Sequence, residues 1–94
     1  AFLAPTTASR ALPVAEVDAS SESYQHRNGA YSRNTVVGNL LGVCAVTVPC
    51  GFNERGLPIG LMVHAKPRCE AVALQVAYAY EQATDWHNQK PPNA

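Results

Sequence analysis

Apolar and polar positions divide the chain into unequal blocks. Phe2-Leu3-Ala4-Pro5 predicts the end of a buried strand, stopped where Pro5 has no N–H to give a ladder, with Thr6 and Thr7 leading into a loop. From about Pro5 to Ser32 no period of 2 or 3.6 is sustained, and Ser, Asn, Gly and Pro are frequent, as in Asp18-Ala19-Ser20-Ser21-Glu22-Ser23. That predicts a long loop, either functional on a larger body or disordered. Asn34 to Gly42 predicts a short helix, capped by Asn34 or Thr35 and ended by Gly42 in a left-handed conformation. Val36, Val37, Leu40 and Leu41 follow helical spacing. Gly38 and Gly42, one turn apart, leave room for another backbone to approach closely.

Val43-Cys44-Ala45-Val46-Thr47-Val48-Pro49 is apolar and rich in β-branched residues, which predicts a central strand covered on both faces. Cys50 to Gly56 reads as a turn. Pro58 to Ala65 alternates, with Ile59, Leu61 and Val63 on one face and Gly60, Met62 and His64 on the other. The two strands are expected to pair as an antiparallel hairpin. Pro67 opens the last element, a helix from Glu70 to about Trp86. Leu74, Ala77, Tyr78 and Glu81 share one of its faces, and Ala73, Val76, Tyr80 and Ala83 the adjoining one. So wide an apolar arc predicts burial on more than one side. Pro91 and Pro92 prevent continuation.

Composition changes this picture in one respect. A chain of 94 residues makes one small domain, which buries only about 60% of its unfolded surface. Hydrophobic residues make up 47% and charged residues 15%, against about 25% charged in a typical soluble protein. The polar surface is too small to cover such a body, so part of it is expected to pack against further protein or, as a homo-oligomer, against itself. The formal net charge is zero, which gives no electrostatic support for direct nucleic-acid binding. No apolar run reaches the roughly 18 residues of a membrane span. The first residues have neither an initiator Met nor a basic leader, so residue 1 is not expected to be the natural start. Three cysteines without tight spacing argue against a disulfide framework and for reduced thiols in the cytoplasm.

Three stretches, in order, resemble one family: Pro5-Thr6-Thr7 after an apolar strand; Asn34-Thr35 followed by Asn39-Leu40-Leu41-Gly42-Val43-Cys44-Ala45-Val46-Thr47-Val48-Pro49-Cys50-Gly51-Phe52; and Gly56-Leu57-Pro58-Ile59-Gly60-Leu61-Met62, with Glu70, Leu74, Ala77, Tyr78, Glu81 and Trp86 behind it. Together they look like the last portion of amidase signature enzymes, which include amidases and the A subunits of aspartyl/glutamyl-tRNA amidotransferases. The likeness runs from Leu3 to Trp86.

The resemblance implies an α/β fold, a mixed sheet flanked by helices. To it this chain would contribute two or three strands, a short helix and a long C-terminal helix as the C-terminal part of a single amidase domain. It implies hydrolysis of amide C–N bonds by a Ser–cis-Ser–Lys triad with a backbone oxyanion hole, acting on a small-molecule amide through an acyl-enzyme. No cofactor is implied. The triad belongs to a segment upstream of the matched region, so the N-terminal catalytic portion is absent here and becomes the expected partner. Ser20-Ser21 lacks flanking glycines, and Lys66 and Lys90 sit beside prolines near the ends of elements. The isolated chain is therefore expected to be inactive. A non-catalytic interaction or scaffold module that folds alone, or part of a tRNA-dependent amidotransferase subunit, is the alternative.

Ser32, Arg33 and Asn34 are the candidate substrate-binding residues. Before a helix N-terminus, with an Arg at hand, they would suit a polar or anionic group, and the equivalent region borders the substrate pocket in some family members. Capping alone also accounts for Asn34, with Arg33 a solvated charge. Tyr24, His26 and Tyr31 could line a pocket mouth, although a solvated loop explains them as well. Cys50 with His64 as base would make a thiol nucleophile, but no third group is evident to orient the base; a small residue in a tight turn is the simpler account. Cys44, Cys50, Cys69 and His64 lack the short spacing of zinc ligands, so no metal site is assigned. Glu81, among apolar helix positions, is expected to pair with a group on the missing part.

Overall fold

The strongest strand signals in the chain become a hairpin in the computed structural model, which describes residues 1–92. Strand β1 is Phe2–Pro5, β2 Cys44–Phe52 and β3 Pro58–Ala65; helix α1 is Val14–Val17, α2 Ser21–Leu41 and α3 Glu70–Ala83, followed by a 3-10 turn at Trp86–Asn88. The sheet order is β1-β3-β2, antiparallel throughout. The α/β class and the hairpin are as expected.

The places within the sheet differ from expectation. Residues 43–49 are expected in the middle, yet β1 pairs with β3 and leaves β2 at an edge. Along β2, Ala45, Thr47 and Pro49 are exposed while Val48 is buried, so one face only is covered. Pro49 suits that place, because an edge strand can omit a ladder donor. The strand also runs on into the predicted turn, as far as Phe52. A bulge between Pro49 and Gly51 sets Cys50 out of register, and Gly51 at φ 142 turns the backbone where a side chain would be strained. The β1 strand, predicted to be buried, is an exposed edge.

The largest difference is α2. The predicted loop from 5 to 32 contains α1 and the first half of a 21-residue helix, roughly 31 Å long. Its N-cap is Ser20, whose side chain accepts from the Ser23 N–H at 3.0 Å. Asn34 and Thr35, expected as caps, lie in its interior, where Thr35 Oγ1 donates back to the Ser32 carbonyl at 2.9 Å. Gly42 ends the helix at φ 66, as predicted. No residue of α2 is buried, so burial imposes no apolar period on most of its length, and the sequence there shows no helical pattern.

Helix α3 lies over β2 and β3. Val48, Met62, Val63, Ala65, Ala73 and Ala77 form the apolar core, with buried His64 beside them. The helix predicted to be buried on more than one side is buried on one, and Leu74 and Tyr78 face outward. It stops at Ala83 because Thr84 turns extended; Trp86 then sets its ring edge-on to Phe52 at 6.3 Å. Glu81 is only half-buried. The chain exposes 6555 Å², where a self-sufficient 10.0 kDa monomer exposes about 5,200 Å². Its radius of gyration, 14.9 Å, likewise exceeds the about 12 Å of a compact chain of this length.

Gly60 marks the tightest point of the sheet. A Cβ there would stand 2.8 Å from both Thr47 Cγ2 and Thr6 Oγ1. Gly60→Ala is expected to cost about 1–3 kcal/mol through that overlap, read as lost amide-exchange protection in β3. Gly38→Ala, whose Cβ would meet nothing closer than 3.5 Å, is the control and should keep that protection.

Candidate functional site

Residues opposite one another in an antiparallel pair share a face. The register therefore puts Phe2, Ala4, Ala45, Thr47, Met62 and His64 together, and Val46, Val48, Val63 and Ala65 on the other face, where Val46 and Ala73 of α3 line one cleft. The first of these faces carries the polar features of the chain.

At one end of it, Thr6, Thr7, Thr47, Pro49 and Pro58–Gly60 line an open concavity of ≈ 370 Å³. Thr6 Oγ1 donates to Thr47 Oγ1 at 3.2 Å across Gly60, and the Thr6 N–H donates to the Gly60 carbonyl at 3.0 Å. Hydroxyls over apolar prolines and Ile59 suit a neutral polar group with an apolar neighbour. A second hollow of ≈ 190 Å³ adjoins, between the Thr7–Ala11 loop and Pro58–Gly60. Arg10 at its edge forms an ion pair with Glu54. A backbone hydrogen bond at Glu54, and then the Arg10 charge, hold the Glu54 carboxyl below its ordinary range. Sequence reasoning missed this concavity; the available signal was Thr47, the one hydroxyl inside an apolar run.

The three residues predicted to bind substrate fall in the middle of α2, so the helix N-terminus expected beside them is not there. Their N–H groups lie within a continuing helix, and three consecutive positions point about 100° apart, so they do not converge on one ligand. Ser32 Oγ donates to the Asn28 carbonyl at 3.1 Å. Asn34 Nδ2 donates to the Pro5 carbonyl at 2.9 Å and ties α2 to the strand end that leads into Thr6. Arg33 is exposed. Tyr31 Oη accepts from the Leu12 N–H at 3.0 Å, Tyr24 is exposed, and His26 faces solvent.

Cys50 and His64 do not form a pair. Cys50 lies beside Pro49, the partner of Gly60, whereas His64 pairs with Ala45, roughly 16 Å away along the strand. Burial also pushes the Cys50 thiol up, away from the thiolate a nucleophile needs. His64 stacks on Phe2 with ring centres 4.3 Å apart, and neither ring nitrogen has a hydrogen-bond partner among the described residues. Among those residues, no three His, Cys, Asp or Glu side chains gather in a metal-binding group, and no helix is long and apolar enough to cross a membrane. Ser20 is occupied as the α2 cap.

The family model described as Amidase matches residues 1–74. The A subunit of glutamyl-tRNA(Gln) amidotransferase from Thermodesulfovibrio yellowstonii is 58% identical over 57 residues, which are 61% of this chain and 12% of that protein. The proteins of the same name from Gloeothece citriformis and a Nostoc species are 52% identical over 58 residues and 53% over 57, again covering 12% of their lengths. The chain thus spans a small part of the curated relatives it matches. No solved structure matched. With the family model running from β1 into α3, this chain belongs to the amidase family.

Proposed function

We propose that residues 1–94 are the C-terminal part of a single amidase domain, and that the protein containing them hydrolyses an amide C–N bond of a small molecule. The observation that supports this most is the pairing of high identity with small coverage: 58% identity over a stretch that is 12% of a relative's length. In this reading, the N-terminal portion brings the Ser–Ser–Lys groups and covers Val36, Val37, Leu40 and Leu41, all exposed on α2. The Thr6–Thr47 rim and Arg33 are what this segment offers to substrate directly. Ser32 and Asn34, whose side chains bond the Asn28 and Pro5 carbonyls, serve that site by positioning α2 rather than by touching the ligand. Reducing, cytoplasmic surroundings suit the free thiols.

The test is ammonia release from simple amides by the longer protein, with and without residues 1–94. Loss on deletion supports the reading; an unchanged rate refutes it and favours a scaffold module. Within that protein, Arg33→Ala is expected to raise KM about tenfold or more with kcat retained, since a charged hydrogen bond lost equally from ground and transition states acts on binding alone. Unchanged KM would remove Arg33 from the site.

The names of the relatives favour a second reading, in which the protein is one subunit of a tRNA-dependent amidotransferase. Its partners would then be other subunits, with tRNA reached through them, since zero net charge gives this segment no grip of its own. Activity that requires glutamyl-tRNA and co-purifying subunits would select it.

A further inference from the structure

Cys44 opens β2 and Cys69 caps the start of α3. The fold brings both to one atom. The Cys44 thiol donates to the Lys66 carbonyl oxygen at 3.3 Å, and the Cys69 backbone N–H donates to the same oxygen at 3.0 Å. Two donors on one acceptor are no further apart than the two bonds laid end to end, so the Cys44 sulfur lies close to the Cys69 backbone nitrogen, one bond from the Cα that carries the second thiol. A disulfide needs Cβ atoms about 3.5–4.5 Å apart; movement of the exposed turn at residues 66–68 sets that separation, and rotation about each Cα–Cβ bond then aims the sulfurs. Cys44 and Glu70, the neighbour of Cys69, also line one cleft of ≈ 220 Å³, so open space adjoins the pair.

Access is good. Neither thiol is buried, and Lys66, Pro67 and Arg68 before Cys69 are exposed. Cys50 is excluded from the pair, because its bulge lies about 20 Å from Cys44 along β2.

We propose that Cys44 and Cys69 are a thiol pair that closes reversibly on reaction with a low-molecular-weight disulfide such as oxidised glutathione. The Cys69 sulfur, having given its proton to solvent, attacks one sulfur of the reagent; its S–S bond breaks and one small thiol leaves. The Cys44 sulfur, likewise deprotonated, attacks the Cys69 sulfur of this mixed disulfide and expels the second small thiol. Two protein thiols are oxidised and one disulfide is reduced to two thiols. The product ties the start of β2 to the start of α3 and locks the helix on the sheet. Cys44 lies on β2 and Cys69 caps α3, the elements that carry the buried Val48, Ala73 and Ala77. The proposal does not depend on the amidase reading.

The 94-residue chain is treated with excess oxidised glutathione in native buffer and, in parallel, in concentrated urea. Thiols are then counted with Ellman's reagent and cross-links mapped by non-reducing peptide mass spectrometry. An unfolded chain favours the shortest loop, Cys44–Cys50. In native buffer the expected result is loss of two of the three thiols, with Cys44–Cys69 predominant, slower amide exchange in α3, and reversal by dithiothreitol. Cys50→Ser should leave the cross-link unchanged, and Cys69→Ser should abolish it. The same pairing in buffer as in urea, a predominant pair containing Cys50, or glutathione adducts without a cross-link would each overturn the proposal.

Discussion

Incubated with a simple aliphatic amide, the purified 94-residue chain will release no ammonia above the uncatalysed rate. Acyl transfer of the family's kind needs an activated serine and donors at the developing oxyanion, and loss of such groups removes most of the rate enhancement. Ser20 is committed to the Ser23 N–H as a helix cap, and Ser21 follows it on the exposed first turn of α2. Lys66 and Lys90 are exposed side chains at the ends of elements. The Cys50 thiol is pushed up by burial and stands far from His64. The difference between this chain and a longer active protein should be the whole enzymatic acceleration, at least about 10⁶-fold. Turnover that disappears in Cys50→Ala would restore the thiol nucleophile; turnover that survives it would mean that one of the serines is catalytic.

Hydrogen exchange of the chain by itself will divide it in two. Amides of β2, β3 and α3 will be protected, whereas those of α2 will exchange as in a nearly free helix. The buried apolar side chains Val48, Met62, Val63, Ala65, Ala73 and Ala77 all lie on the protected elements, and α2 has none. Most of a helix's stability in a protein comes from packing an apolar face rather than from its own propensity, and α2 packs no buried residue. Gly29 and Gly38 inside α2 weaken it by up to about 1 kcal/mol each relative to Ala. Leu40 is 81% exposed and Leu41 62%. Burying a Leu contributes about 1.5–3 kcal/mol, so these two forgo several kcal/mol of a typical 5–15 kcal/mol. The thermal transition should be broad, with weak near-UV ellipticity from the tyrosines and Trp86. A sharp melt with α2 protected to the global level would show a self-sufficient domain, and the proposal that these residues are part of a larger one would fall.

The hairpin, the αL glycine at position 42 and the start of α3 were legible in the sequence because each rests on a local rule. β-Branched runs favour extended backbone, a glycine tolerates positive φ, and alternation along Pro58–Ala65 follows the pleat. The family was legible for another reason: the Val48-Pro49-Cys50-Gly51-Phe52 and Gly56–Leu61 segments keep their spacing along the chain. Which strand stands in the middle was not local. Val43–Pro49 has the composition of a central strand, but the pairing of β1 with β3 puts it at the edge.

The site was least legible, because its pieces are distant in sequence. Thr6, Thr47 and Gly60 meet only when three strands align, and no spacing rule joins them. Ser32, Arg33 and Asn34 read as a helix start because polar residues precede an apolar run, yet the helix begins at Ser21. Sequence by itself thus determined the strands, their turns and the family, through backbone preference and short-range spacing. Tertiary structure alone decided the strand order, the length of α2 and the convergence of Cys44 with Cys69. These depend on long-range pairing and on which faces are covered, and a helix without a buried residue carries no apolar pattern to read.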